Sequence, residues 1–270
     1  MTIPMQWALR RRMMMGALGS GIDVAALSIT YTGAHTDYGM VTMSDGARYR
    51  LLAFTSSGTL SIEQPVNCEV CVVGGGANGG SAGGDGGAGG YLKNQAITKY
   101  NGGAVVVGAA QAASSVGEVS VKAVLGKNGG TGGGGSGNDT PGVGDGISKF
   151  PFGDESYSLW TGKPHCAGGG AVLMFYESAA GGSDWYSGGD GGTNGGNGND
   201  STYAGTTMGV SGAPGKGGTY GGGSGGGFGS GGSFANGGNA TYYGSAGGAS
   251  RATQGSGYQG IVYIRIPVIQ

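Results

Sequence analysis

Charge is scarce in this chain. Asp, Glu, Lys and Arg make up 11% of 270 residues, for a formal net charge of −1. Globular domains carry about a quarter charged residues. No basic face is available to grip a phosphate backbone, so nucleic acid is excluded as a partner. Charge-rich disorder is excluded for the same reason. Cysteine is nearly absent too: Cys68, Cys71 and Cys166 are too few for a disulfide framework. Only seven prolines are present, which rules out collagen. No apolar run reaches eighteen residues, so no transmembrane helix and no membrane insertion is expected. With two histidines, His35 and His165, the means for acid–base catalysis are thin.

Two local patterns imitate function. Cys68-Glu69-Val70-Cys71 has CxxC spacing but falls in a strand-like run, 68–73. Residues three apart on a strand lie on opposite faces about 10 Å apart, beyond disulfide reach. Two separate core thiols are therefore expected, not a redox pair or half a zinc site. Arg10-Arg11-Arg12 followed by Met13-Met14-Met15-Gly16-Ala17-Leu18 resembles a signal peptide, but Gly19, Gly21 and Asp23 cut the apolar region short.

What is abundant is glycine, 70 residues of it, most from Gly74 to Gly257. Fixing each in regular structure costs about 0.5–1 kcal/mol more than fixing alanine, so ordering all of them adds some tens of kcal/mol. Side-chain burial cannot offset that, which leaves backbone hydrogen bonds between neighbouring segments. Chains without Cβ can lie side by side as extended three-residue-per-turn helices, the polyglycine relative of the polyproline helix. The phase is visible: Gly209, Gly212, Gly215, Gly218 and Gly221 recur every third residue, as do Gly80, Gly83, Gly86 and Gly89, and Gly189, Gly192, Gly195 and Gly198. Ser224 breaks the longest register, so short packed segments joined by turns are expected.

Along the chain, residues 1–22 read as a short N-terminal helix started by Pro4, with Met5, Leu9, Met13 and Leu18 on one side. A lone amphipathic helix of this length is marginal in water, so it is expected to serve as a docking peg, with Trp7, Leu9, Arg10, Arg11, Arg12 and Met13 as its partner-docking residues. Residues 23–62 form a β-rich connector and first strands, over 26–31, 39–43, 47–54 and 58–62. Residues 63–270 form a glycine-rich domain with strands at 68–73, 104–107, 118–124 and 260–267. Alternation in Val119, Val121 and Ala123, and in Tyr263 and Arg265, predicts half-buried strands. The last strand is expected to pair with the early ones. The fold class is thus mainly β, an antiparallel β-sandwich of jelly-roll or TNF-like kind, with glycine-rich insertions packed as polyglycine II helices.

The order of these signals resembles a known family. Phe54-Thr55-Ser56-Ser57-Gly58-Thr59-Leu60, then Cys68 to Val73 entering Gly74-Gly75-Gly76, then Gly87-Ala88-Gly89-Gly90-Tyr91-Leu92, Val105-Val106-Val107-Gly108 and Gly260-Ile261-Val262-Tyr263-Ile264-Arg265 look like the glycine-rich domain of bacteriophage and prophage tail proteins, over about residues 48–268. The same grammar resembles the glycine-rich region of anaplastic lymphoma kinase ectodomains. Distal tail-fibre adhesins of T-even-like phages share the composition alone. Trp7-Ala8-Leu9-Arg10-Arg11-Arg12-Met13-Met14 is similar to the starts of gut prophage tail proteins. Ala109-Ala110-Gln111-Ala112 departs from the family pattern, which has a Gly pair there. The resemblance implies a virion surface component, a receptor-binding fibre tip, with other virion tail or fibre proteins as partners and a homo-trimer as one possible assembly.

Candidate sites follow from side chains that interrupt the glycine. Asp154-Glu155 are adjacent, whereas glycosidase carboxylates flank a bond from opposite sides, so solvated loop charge is expected and no catalytic residue is assigned. GxGxxG matches arise by chance in such a chain and carry no meaning without a following helix. Asn197-Gly198-Asn199-Asp200 and Asn138-Asp139 lack a full acidic ligand set, so turns are expected and neither metal nor cofactor. Aromatic loops are better candidates, since Trp and Tyr stack on sugars or anchor protein contacts at small entropic cost. Tyr157, Trp160, His165, Asp184, Trp185, Tyr186, Tyr203, Tyr242 and Tyr243 are the residues expected to touch a host cell-surface glycan or protein, while Phe228 and Phe234 are expected to pack.

Overall fold

The computed structural model describes residues 22–42, 46–80, 87, 89–90, 92–124, 185–187, 202–205, 236–250 and 253–268, with the backbone alone at 92, 94, 185–187 and 202–205. Among these residues ten strands run in chain order: β1 (Ile29–Tyr31), β2 (His35–Thr42), β3 (Arg48–Phe54), β4 (Gly58–Val73), β5 (Leu92–Val106), β6 (Ser114–Val116), β7 (Val119–Val121), β8 (Trp185–Ser187), β9 (Thr202–Gly205) and β10 (Ile261–Pro267). Eight of them make one sheet in the order β2-β3-β10-β4-β5-β6-β7, with β1 also on β4, while β8 and β9 form a separate pair. Every pairing is antiparallel. The architecture is mainly β, without a helix among the described residues. The expected docking helix lies outside them apart from Ile22.

β10 is the centre of the sheet. It pairs on one side with β3, Ile264 opposite Leu52, and on the other with β4, Ile264 opposite Val70. The half-buried strand expected from Tyr263 and Arg265 is corrected here, because 261–266 are buried on both faces. A strand with hydrogen-bonded neighbours on both edges and covered faces reads as a nearly continuous apolar run, and Ile261-Val262-Tyr263-Ile264 is one. Val262, Ile264 and Ile266 join the larger core with Leu52, Phe54, Leu60, Val70, Val72, Val105, Val116, Val119 and Val121. Ile261 and Tyr263 join a smaller core on the opposite face with Tyr49, Leu51, Ala53, Cys71 and Val73. Arg265 is tolerated on that second face because its Nε donates to Glu69 and its guanidinium lies 4.3 Å over the Tyr49 ring.

β4 and β5 pair irregularly midway along their length. β4 includes Pro65, which lacks an N–H for the ladder, and the register shifts on either side of Val66 absorb it. Opposite, Lys99 takes φ 52° and Gly102 φ 110°. A Cβ on Gly102 would stand 2.2 Å from the Leu60 carbonyl oxygen, so this position also needs glycine sterically. β7 stops at Val121, and Ala123, expected to continue its buried alternation, is exposed.

The described glycine segments bond differently. Gly76 and Gly79 donate to Tyr258 and Gly255, and Gly87 and Gly90 to Gly247 and Gly244. Gly247 and Ser250 donate to Ala77 and Gly80, Gly237 and Ala240 to Thr253 and Ser256, and Gly255 and Tyr258 to Gly248 and Ser245. In every pair both donors and acceptors are three residues apart, whereas a pleated ladder repeats every two. Both directions occur, since 76/79 run against 258/255 while 247/250 run with 77/80. The packing is backbone on backbone: a Cβ on Gly79 would meet the Gly248 oxygen at 2.0 Å, and one on Gly255 the Gly238 oxygen at 1.9 Å. Ala77, Ala246 and Ala249 are fully buried where the spacing leaves room for a methyl. The registers at 189–198 and 209–221 lie outside the described residues.

Side chains pin this body to the sheet. Asn78 donates from Nδ2 to the Gln111 side chain at 3.0 Å and accepts the Gly257 N–H at 2.9 Å. Gln259 Nε2 donates to the Thr55 carbonyl at 2.8 Å, at the turn between β3 and β4.

Candidate functional site

Of the expected contact residues, Tyr157, Trp160, His165 and Asp184 lie outside the described residues, as do Asp154, Glu155, Phe228, Phe234 and both Asn-rich turns. Trp185, Tyr186 and Tyr203 fall in the β8–β9 pair, where Tyr186 stands opposite Tyr203 and the register shifts beside Trp185. That places two of the expected aromatics at one level of a short antiparallel pair.

Tyr242 and Tyr243 are fully described, and they form the best-defined cluster. They end a glycine segment whose next residues, Gly244 and Ser245, are held by bonds to the Gln259 and Tyr242 carbonyls. The Tyr242 and Tyr243 rings meet edge to face with centroids 5.1 Å apart, and Tyr243 meets Tyr258 edge to face at 5.5 Å. Such pairs are favourable by about 0.5–1.5 kcal/mol beyond the area they bury. Tyr243 packs against the smaller core, as do Val41 and Ala47. Tyr38 reaches the same place from β2. The register shift between Asp37 and Met40 leaves Tyr38 and Gly39 bulged, with Gly39 at φ 65°. Tyr38 is 53% exposed and Tyr258 38% exposed, while Tyr242 and Tyr243 are half-buried.

Electrostatics agree with this placement. Burial pushes the Tyr243 phenol above its ordinary value, and Tyr258 and Tyr38 add to it. Burial likewise raises Tyr263, with Tyr242, Cys71, Tyr38 and Tyr243 adding to the shift. Each hydroxyl therefore stays protonated at physiological pH. The charge beside Tyr38 is paired: Arg50 donates to Asp37 at 2.7 Å, and Arg50 also donates to the carbonyls of Val24 and Leu27, at 3.3 and 2.5 Å.

Neither buried thiol belongs to a site. Cys68 lies in the larger core and Cys71 in the smaller, on opposite faces and not bonded to each other, as the strand alternation predicts. Burial, aided by Glu69, pushes Cys68 up to about 12, which suppresses the reactive thiolate. His35 is exposed and packs against Tyr31 and Phe54, with centroids 5.5 and 6.1 Å away. Among the described residues no group of three His, Cys, Asp or Glu is arranged to hold a metal ion.

Of the four tyrosines in the cluster, sequence reasoning singled out Tyr242 and Tyr243 and passed over Tyr38 and Tyr258. Tyr38 precedes the strand expected from residue 39, whereas β2 starts at His35 and, with Asp37 opposite Leu52 of the larger core, turns Tyr38 to the face of the smaller one. Tyr258 lies in a Gly-Ser-Gly-Tyr-Gln-Gly run that reads as lattice. Two tyrosines bracketing glycine segments, Tyr243 before Gly244 and Tyr258 before Gly260, are the signal that was available. Comparisons with protein-family models, curated proteins and solved structures return no match, so the local geometry alone speaks for this surface.

Proposed function

We propose that this protein is a non-enzymatic adhesin on the surface of a bacteriophage or prophage virion, a tail-fibre or tail-tip component that attaches to a host cell-surface glycan or protein. The observation that carries the reading is the Tyr38, Tyr242, Tyr243 and Tyr258 cluster, partly exposed and held between a β-bulge and backbone-bonded glycine segments. Aromatic anchors on a rigid support lose little entropy on binding. The resemblance to phage tail proteins supplies the biological setting. In it, residues 1–22 dock the molecule to other tail proteins as a helical peg, and assembly as a homo-trimer is one arrangement.

The same reading extends to the fold. The three-residue recurrence of hydrogen bonds is that of polyglycine II helices. A jelly-roll-like sandwich is the finer reading of the fold, and the register shifts around Val66, where such a sheet would turn, support it. A second reading, a structural virion component such as a collar, baseplate or capsid decoration, is favoured by the glycine body itself, which needs no ligand to be rigid. Labelled full-length protein incubated with intact cells of a panel of bacterial strains tests the choice. Saturable binding to a subset of strains supports the adhesin, and absence of binding across the panel, together with equal adsorption of particles with and without the protein, favours the structural role.

A further inference from the structure

The two ends of the sheet are joined to different parts of the chain. At one end Ile261 stands opposite Val73 and Val262 opposite Phe54. The glycine body continues from there: Gly74 follows Val73, Gly260 precedes Ile261, and Gly76 and Gly79 donate to Tyr258 and Gly255. At the other end Pro267 stands opposite Tyr49, and Val268 donates to the Arg48 carbonyl. The N-terminal segment enters at that same end, where Arg50, paired with Ile266, donates to the carbonyls of Val24 and Leu27. From Leu27 the chain runs lengthwise towards the glycine end. Ser28 donates to Glu63 Oε2 at 3.3 Å and accepts the Glu63 N–H at 3.1 Å. Ile29, Thr30 and Tyr31 then pair with Ile62, Ser61 and Leu60, Thr32 donates to the Thr59 carbonyl, and the Ala34 carbonyl accepts the Thr55 N–H just past Phe54.

A pull between the residues ahead of Ile22 and the glycine body is therefore directed along the strands. Ladder bonds lie perpendicular to antiparallel strands, so an axial pull loads every bond of a pairing together, whereas a pull across them opens the bonds one at a time. On the N-terminal side the resisting bonds are the β1–β4 pairs, the Ser28–Glu63 exchange and the donors of Arg50, which Asp37 holds in place at 2.7 Å. Bonds from a guanidinium are among the stronger kind. Sliding this segment also drags Val24 and Leu27 out of the larger core. On the glycine side β10 is gripped by β3 and β4 at once. A pull between Ile22 and Val268 is different. Both pack against the larger core at one end of the sheet, so the force crosses the strands and peels β10 from its last residue inward.

We infer that the sheet is a tension-bearing coupling between the N-terminal segment and the glycine body, with residues 23–34 and Arg50 as the clamp on one side and β10 as the clamp on the other. This inference rests on the reading of residues 1–22 as the docked end and gives the sheet its task within that reading.

Single-molecule pulling on the full chain tests it in two geometries. In the first, the handles sit on the N-terminus and on Gln254→Cys, an exposed position in the glycine body, in a Cys166→Ser background; Cys68 and Cys71 are buried. In the second they sit on the two chain termini. The force that opens the sheet should be roughly twofold higher or more in the first geometry, since forced unfolding follows the unfolding rate along the pulled direction. Arg50→Ala should bring the first force down towards the second. Equal forces in the two geometries overturn the inference, as does an axial force that Arg50→Ala leaves unchanged. Should Arg50→Ala not fold, Glu63→Ala, an exposed change that removes one bond of the Ser28 exchange, takes its place with the same outcomes. Virion incorporation that survives deletion of residues 1–22 counts against the docked-end reading alone, and the comparison of forces still decides the coupling.

Discussion

The sheet and the glycine body handle backbone polar groups with opposite materials. In the sheet, β3, β4 and β10 bury Leu52, Phe54, Val70, Val72, Val262 and Ile264, and apolar surface offsets the ordering of the chain. In the glycine body, the segments around Gly76, Gly79, Gly247 and Gly255 approach until a single added carbon would overlap a carbonyl oxygen, and hydrogen bonds every third residue take the place of side-chain burial. One region is vulnerable to losing atoms and the other to gaining them. The tyrosine cluster sits where they meet, large side chains seated at the junction of a packed face and a surface made almost wholly of backbone.

The largest effect is expected from deletion in the sheet. Ile264→Ala removes a fully buried side chain from the central strand and should lower unfolding stability by about 2–5 kcal/mol in urea denaturation. Addition in the glycine body comes next: Gly255→Ala should lower stability by about 1–3 kcal/mol or more, since neither the Gly238 carbonyl nor the chain can move away without breaking bonds. Gly39→Ala is the control that separates crowding from conformation. Its Cβ meets nothing within 4 Å, but φ is +65°, so only the left-handed strain of about 1–2 kcal/mol is expected. Equal losses at Gly255 and Gly39 would break the contrast between the two regions.

A smaller effect of opposite sign is expected within the larger core. The Tyr100 hydroxyl is buried without a hydrogen-bond partner, and burial, then Cys68 and Tyr31, push its pKa up, so it resists ionisation. Tyr100→Phe removes that orphaned group and should stabilise the fold by about 1 kcal/mol, read from the same urea midpoint. The smallest effect concerns pH. Burial pushes Asp37 upward, but the hydrogen bonds from Arg50 and Gly39 and the nearby positive charge outweigh it, leaving the carboxyl below its ordinary 3.8. A depressed folded-state value means that its contribution is complete above the unfolded value and disappears as pH falls through the folded one. Between pH 5 and pH 2 the melting temperature should therefore fall slightly less in Asp37→Asn than in the parent, and equal slopes would remove Asp37 from the account.

Much of the sheet was legible because period-two patterns report directly on which face is buried. Cys68 and Cys71 separated to the two cores as their spacing requires, and Val119 and Val121 faced inward around exposed Ser120. Legibility failed where neighbours rather than the strand's own pattern decide burial. Tyr263 and Arg265 look like an outward face until β3 and β4 flank them, and an arginine enters the interior only when Glu69 and Tyr49 are already placed. It failed again where a residue substitutes for glycine. Gln111 occupies φ +62° where a Gly pair would suit the turn, and its backbone N–H and side chain bond Gly76 and Asn78. The tyrosine cluster was half legible for a related reason: sequence marks which side chains interrupt the glycine, but not that β2 starts early enough to bring Tyr38 to the same face.

The position of β10 governs the order in which the molecule can be made. During synthesis β3 and the second half of β4 emerge early, each with one edge reserved for a strand that follows nearly two hundred residues later. At ordinary translation rates those edges wait roughly ten to forty seconds. In that interval the nascent chain carries two open templates for pairing with any extended segment, its own or a neighbour's, and only the arrival of Ile261-Val262-Tyr263-Ile264 closes them. Yield of the native form should thus depend on how crowded the ribosomes are as much as on the stability of the finished fold.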